Sequence, residues 1–549
     1  MLAVIPILPS LYPLLLWLPG ALLSLAGLWR SRYFLLGLLL LAAVFLWRMF
    51  AADDSRYVAE TVPPSNQPRR LSSPEDWPSP RGGPLRRGAV GSGEDPNVRQ
   101  ELWRFAPPGR AFYASPAWSN GRLYVIGCQG DRARIDCLRA DSGERLWSVS
   151  PQGYRASFSS PVIAGDYLVC GEGLHHTRNS RVFCLDLRPG REGDIVWTFT
   201  TRGHVECTPT IADGRVYFGA GDDGLYCVDL APSEAGKTRL AWRVGGARYP
   251  DVETSVAVDN GRVYVGLGVG GQAVCVLDAA DGKELHRWET PSPVFAPPAI
   301  DGDRIYVGMG EGDFLHPLRK PQGQLLCLDR SARPLWRFPT AGAILGAAAA
   351  ANEAIYFASA DGKVYAVDRD GKLLAQWDAQ TPLLAAPAVG AQAVYVVDQH
   401  GQAAALDRDD LSLLWKYSLG DAGLCVSSPL AGEEKLWLAG ERGGVVCVGD
   451  SSRQAPWRFE VQGRVLACRD KRGKLLWRRE FSGVVRPPAA DLARVAVVTE
   501  APNRLWLLDA LTGKVLWETP VTEAADPRIH GTVIWMGEEA RNLADGKMQ

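Results

Sequence analysis

The 549-residue chain carries no excess of either charge. Its 60 Lys and Arg stand against 61 Asp and Glu, which argues against a general electrostatic footprint for nucleic acid. It has no Cys-x-x-Cys and no Cys-x-x-Cys-His, so neither a zinc ribbon nor a c-type haem site is encoded. It has no Gly-x-Ser-x-Gly, and nothing in it sets a nucleophile beside a base. Glycine-rich "GDDG" at Gly221 and "GVGG" at Gly268 lie between strands with no helix to follow, so they are hairpin turns and not phosphate cradles. Histidine is scarce, seven in all: His175, His176, His204, His286, His316, His400 and His530. The pair His175 and His176 invites a metal reading, but nothing near it in sequence supplies a third ligand. The pair is therefore expected to be exposed loop, and no metal or cofactor site is expected from the sequence.

Lys and Arg are also missing from the first 29 residues, where a cleaved signal peptide would show an early basic residue. What stands there instead is apolar. Leu2 to Trp29 has no charged side chain, though Pro6, Pro9, Pro13 and Pro19 interrupt it. After Arg30-Ser31-Arg32 a second run, "YFLLGLLLLAAVFLW", begins at Tyr33. At about 20 residues per span, residues 1–52 are expected to form a transmembrane hairpin in the lipid bilayer. Arg30 and Arg32 favour a cytoplasmic connection, which places the rest of the chain outside a bacterial-type inner membrane. Residues 53–100 are rich in Pro, Ser, Gly and Arg and lose apolar periodicity, so a solvated linker is expected, with Arg69, Arg70, Arg86 and Arg87 in water.

From residue 101 to 549 a phrase recurs. "CLRADSGERLW" (Cys137–Trp147), "VLDAADGKELHRW" (Val276–Trp288) and "LLDALTGKVLW" (Leu507–Trp517) each give an apolar strand, an acidic turn with glycine and a tryptophan. The tryptophans are Trp103, Trp147, Trp197, Trp242, Trp288, Trp336, Trp377, Trp415, Trp477 and Trp517. Their spacing, mostly about 38 to 50 residues, fits a four-stranded propeller blade. A first strand opens at "SPAW" (Ser115), "SPVI" (Ser160), "TPTI" (Thr208), "APAV" (Ala386) and "SPLA" (Ser428). A second is β-branched and aromatic, as in "RVYVGL" from Arg262, and Asn-Gly or Asp-Gly joins many such pairs.

The fold class expected is therefore all-β: a multi-bladed β-propeller of four-stranded antiparallel blades, preceded by transmembrane helices. Ten signatures are present, so 8–10 blades are expected. Trp103 lies in a lone fourth-strand signature at the start, and the last repeat lacks a tryptophan strand. The two are expected to combine and close the ring. Seven of the 11 cysteines sit on the third strand, as small buried hydrophobes spaced too far apart to bridge.

The phrases "RVYVG", "YAVD" (at Tyr365) and "LLDALTGKVLW" resemble the PQQ-like propeller repeats, from about Trp103 to the C-terminus. That resemblance implies one of two branches. One is the quinoprotein dehydrogenases, which hold a quinone and a calcium ion in the central funnel. The other is non-catalytic and BamB-like. The dehydrogenases stack the quinone on two adjacent cysteines, and this chain has no Cys-Cys pair. Asp186, Asp229, Asp278, Asp368 and Asp407 occupy turn positions rather than a calcium site. The chain also departs from BamB, a lipoprotein with an N-terminal cysteine, since its first cysteine is Cys128. The expected function is a membrane-tethered, non-catalytic scaffold that binds an envelope protein or polymer. A quinoprotein dehydrogenase and a small-ligand or carbohydrate sensor are the alternatives. Long links at Glu172–Arg181, Glu311–Gln324, and Glu441 with Ser451–Gly463 share the blade-joining face. His175, His176, Arg178, His316, Arg319 and Lys320 are the expected partner-binding rim.

Overall fold

The computed structural model describes residues 56–58, 82–88 and 100–542, apart from 313–321, 352, 433, 450–457, 470–474, 491–493, 510–511, 531–532 and 537–538. The expected membrane hairpin, residues 1–52, lies outside the described residues. Among the described residues there is no helix, and so none long and apolar enough to cross a membrane. The chain divides into two compact units, residues 1–449 and 450–549.

The first unit contains eight four-stranded antiparallel blades. In chain order they occupy residues 117–149, 162–200, 210–245, 257–289, 299–340, 349–378, 388–418 and 430–449. The eighth has only three strands of its own, Leu430–Gly432, Lys435–Gly440 and Gly444–Gly449. Its outer strand is Gln100–Phe105, which pairs antiparallel with Gly444–Gly449. The N-terminal tryptophan strand thus closes a ring, but not on the last repeat as expected. Trp103 stands opposite Cys447, as Trp147 stands opposite Cys137 and Trp242 opposite Cys227. Arg458–Gln462 starts a sheet of the second unit. A short strand, Arg56–Val58, adds to the outer edge of the first blade.

Local chemistry explains the blades. Asn120-Gly121, Asp213-Gly214 and Asn260-Gly261 have both φ values positive, the primed turn that matches strand twist. Asp186, Asp278, Asp368 and Asp407 accept backbone N–H bonds two residues ahead, so their turn role holds. At Asp229 the observed partner is instead the Arg239 side chain. All 11 cysteines are buried and none forms a disulfide; for the seven on third strands this is as expected.

The blades dock through the repeated phrase. The indole N–H of Trp103, Trp197, Trp242 and Trp336 donates to the carbonyls of Ala140, Leu230, Ala279 and Arg369, each in the turn of the next blade. The turn glycine lies flat on the ring, and a Cβ at Gly143 would fall 2.5 Å from Trp103. Glycine is required there twice over, by the indole and by φ of +70°. Trp103, Trp147, Trp197, Trp242 and Trp477 are buried, whereas Trp288, Trp336, Trp377, Trp415 and Trp517 are half-buried. The ten are not equivalent. His286 and Ala375 hold the docking register in the fourth and sixth blades, opposite Val276 and Ala366. Trp288 and Trp377 sit two residues further on, beneath Arg337 and Lys416 of the following blades.

A second device links the inner strands. The amides of Ser115, Ser160 and Thr208 donate to the hydroxyls of Ser160, Thr208 and Ser255 in the next blade. Ala386 of the seventh blade donates to Ser428 of the eighth, and across the closure Ser428 donates to Ser115. The Ser-Pro and Thr-Pro openings of the blades are thus partners in an inter-blade relay. Trp118 stacks on Trp437 at 5.9 Å, joining the first blade to the eighth.

The second unit has three sheets, built on Arg458–Gln462, Arg494–Glu500 and Arg528–His530. It reuses the docking phrase, with Gly513 against Trp477.

Gly143→Ala is expected to cost about 3 kcal/mol, combining overpacking with left-handed strain. Gly121→Ala has the same φ of +70° but open space around it, and should cost about 1 kcal/mol. Denaturant unfolding of both variants measures the difference, and equal losses would contradict docking on the indole.

Candidate functional site

Two places gather polar chemistry. The first is the inner edge of the ring. Each innermost strand of a propeller leaves one edge of backbone groups facing the central channel, and buried groups of that kind need partners. Here residues 82–88 supply them. The amides of Val258, Ile300, Ala350 and Val389, at the innermost strands of the fourth to seventh blades, donate to the carbonyls of Pro84, Leu85, Arg87 and Gly88. Arg86 is 2% exposed. Its guanidinium donates to the carbonyls of Val256 and Thr208 and to the Thr210 hydroxyl. Burial pulls Arg86 down to about 10, which leaves it charged at neutral pH. Arg87 is more exposed and reaches the Ile300 carbonyl and Asp301.

This corrects the reading of residues 53–100 as solvated linker throughout. Arginines among prolines and glycines signalled solvent, because no local apolar pattern announces that a backbone will meet four strand edges far along the chain. The same segment bears on the cofactor that one branch of the resemblance implies. A quinone in the central funnel would have to share it with residues 82–88, and the residues present do not fit that group.

The second place is the face that carries the blade-joining loops. Glu172 is fully buried between Arg155 and Arg181, which pins the long link that follows it. From that link His175 reaches Glu253, Nδ1 to Oε1 at 2.5 Å. His204 reaches the same oxygen through Nε2 at 2.9 Å. His204 lies in the loop between the second and third blades, Glu253 in the loop between the third and fourth. Each loop is held by its backbone: Val205 bonds Glu172, Val252 bridges Gly221, and Gly173 bonds Ala156. His204 rests on Gly221, where a Cβ would fall 2.3 Å from the ring.

Acidic groups crowd the same spot. The hydrogen bond that His175 makes to Glu253 raises His175, although partial burial opposes it. Burial works to raise Glu253, but the hydrogen bonds from His204 and His175 outweigh it and hold Glu253 low. Burial, with Glu253 nearby, pushes Glu206 up to about 7 and Asp251 up to about 6.

Of the expected rim residues, the structure brings His175 into this cluster and leaves His176 and Arg178 exposed on the link. His316, Arg319 and Lys320 lie outside the described residues. The expectation that His175 lacks further ligands is overturned: His204 and Glu253 complete a trio whose ligand atoms all lie within 4.8 Å of one another. They come from different blades, 29 and 78 positions along, and only the ring brings them together.

Four-stranded antiparallel sheets docked one on the next and closed by the N-terminal strand define a β-propeller. The chain belongs to the family described as outer membrane protein assembly factor BamB, whose profile matches residues 131–245, 232–316, 321–462 and 459–547. No curated protein matches the sequence. Among solved structures the chain is similar to the computationally designed Ika8 protein, at 16% identity and a TM-score of 0.51, over 64% of this chain and 100% of that one. It is also similar to BamB from Moraxella catarrhalis, at 14% identity and a TM-score of 0.49, over 64% of this chain and 98% of that one. At 16% identity the likeness to the designed protein is one of fold.

Proposed function

We propose that this protein is a membrane-tethered, non-catalytic propeller scaffold that binds other proteins or polymers of the cell envelope. The observation that carries this reading is the segment 82–88 bonded along the inner edges of four blades, with Arg86 buried beside them. Such a segment along the inner edges of the ring speaks for a scaffold rather than a quinoprotein, whose cofactor would need that space. A propeller so engaged has its outer surfaces left for work. Outer strands there expose leucines: Leu335 in the fifth blade, Leu373 and Leu374 in the sixth, Leu413 and Leu414 in the seventh. Apolar side chains on an outer strand suit a polypeptide partner, which can also pair with the strand edge. The family description names assembly factors for outer membrane proteins, and scaffold work of that general kind agrees with this reading. Residues 1–52 supply the tether in an inner membrane, with the propeller on the extracytoplasmic side.

The full-length chain, solubilised and titrated with quinone and calcium, should retain no stoichiometric quinone and oxidise no alcohol or sugar with a dye acceptor. Quinone retention with such oxidation would overturn the reading in favour of a dehydrogenase. In cells, the full chain should sediment with membranes, and a C-terminal alkaline phosphatase fusion should be active. A soluble chain, or an inactive fusion, would refute the tether or its orientation. Photocrosslinkers at Leu374 and Leu414 in intact membranes should give discrete adducts that a crosslinker at Gly121 does not.

A further inference from the structure

The trio on the loop face has the makings of a metal centre. It offers two imidazole nitrogens and one carboxylate oxygen: Nδ1 of His175, Nε2 of His204 and Oε1 of Glu253. We infer that these three residues bind a single divalent cation of the zinc type, with one coordination position open to solvent.

The donor set decides the type of metal. Calcium and magnesium take oxygen ligands, whereas imidazole suits zinc and its transition-metal neighbours. Two histidines with one glutamate is a zinc set that leaves a fourth position free. Exposure shows where that position faces. The His204 side chain is 7% exposed and that of Glu253 17%, while that of His175 is 73% exposed. Buried His204 and half-buried Glu253 fix the site and His175 closes it from the solvent side.

Distances are compatible with a small opening. Bonds of about 2.0–2.1 Å around a tetrahedral ion set ligand atoms roughly 3.3 Å apart. The separations from Glu253 are 2.5 and 2.9 Å, so the carboxylate and imidazoles need to part by less than about 1 Å. The loops that carry them are already held by backbone bonds, and the Gly221 backbone fixes the plane of the His204 ring. Because the ligands come from the link of the second blade and from the loops entering the third and fourth, one ion would tie three blades together at their rim.

This inference does not rest on the scaffold reading. Its test is metal binding by the full-length chain, stripped with chelator and titrated with Zn2+ by calorimetry, with bound metal counted by mass spectrometry. One Zn2+ per chain is expected. His175→Ala and His204→Ala should each weaken binding by about 100-fold or more, beyond the loss typical of an outer-shell change. His176→Ala, on the exposed neighbour, should leave it within about twofold, well inside that outer-shell loss. His175 is exposed enough that its variant folds even where the His204 variant does not. Ca2+ should not displace Zn2+. The Co2+-loaded chain should show the intense visible bands of four-coordination, and these should shift when acetate is added. Absence of saturable one-to-one binding, survival of binding in the His175 variant, or displacement by Ca2+ at equal concentration would each overturn the assignment.

Discussion

A chain lacking Gln100–Phe105 should fail to keep its ring closed. That strand is the outer strand of the eighth blade, and without it Gly444–Gly449 shows an unpaired edge of buried apolar residues. Trp103 goes with it, and its indole packs on Gly143 and bonds the Ala140 carbonyl in the first blade. Truncating one large core aromatic costs about 3–5 kcal/mol. Losing the strand as well should take the total beyond about 5 kcal/mol, comparable with the whole stability of many domains. Denaturant unfolding of the full-length chain, with its oligomeric state followed by light scattering, measures both consequences. Removing Val515–Pro520 is the control: it should weaken the second unit and leave the transition of the ring in place. An unchanged transition in the Gln100–Phe105 deletion would refute closure on the eighth blade.

Arg86→Met should destabilise the ring by about 4 kcal/mol. Methionine fills a similar volume but donates nothing, so the Thr208 carbonyl loses its charged donor outright, while the Val256 carbonyl and the Thr210 hydroxyl keep only their bond to each other. Each buried acceptor left without a partner costs about 1–3 kcal/mol. Arg86→Lys should lose less, since it keeps the charge but not the fork of donors. Hydrogen exchange gives a local readout. The amides of Val258, Ile300, Ala350 and Val389 should lose protection together in the Met variant, because their acceptors lie on the same short segment. Full protection at all four would show that the segment holds its place without the guanidinium.

Much of the fold was legible because it is written in local chemistry. An Asp turn, a positive-φ glycine and a tryptophan recur at blade spacing, and each has a physical task that the structure displays at Trp103, Gly143 and Asp278. What the sequence misassigned is long-range. The strand of Trp103 fits any open third strand, and two were on offer; the choice of Gly444–Gly449 depends on where the ring becomes full. The shift of Trp288 and Trp377 by two residues escaped notice because a strand tolerates such a slip on one face, with the same spacing rule for tryptophan. The site was least legible of all. His175 was visible as a candidate, whereas His204 and Glu253 look like ordinary loop residues until three blades stand side by side. Arg86 carried no signal, since a buried arginine bonded to carbonyls leaves no pattern of alternation or charge.

Residues 82–88 and 100–105 are made before any blade exists, yet their partners lie as far along as Gly449. The strand Gln100–Phe105 must therefore wait, unpaired, while some 340 residues follow it, and long-range pairing of this kind slows folding. The arc against the fourth to seventh blades also fixes an order of events. A segment bonded to the inside of a ring is most simply laid in place while the blades gather round it, one after another, and sealed when Gly444–Gly449 arrives to receive Gln100–Phe105. The last 100 residues are synthesised only after that seal becomes possible. During this interval a nascent propeller presents open edges at both ends of an unfinished circle, and these are the surfaces at which misassembly with a neighbouring copy would begin.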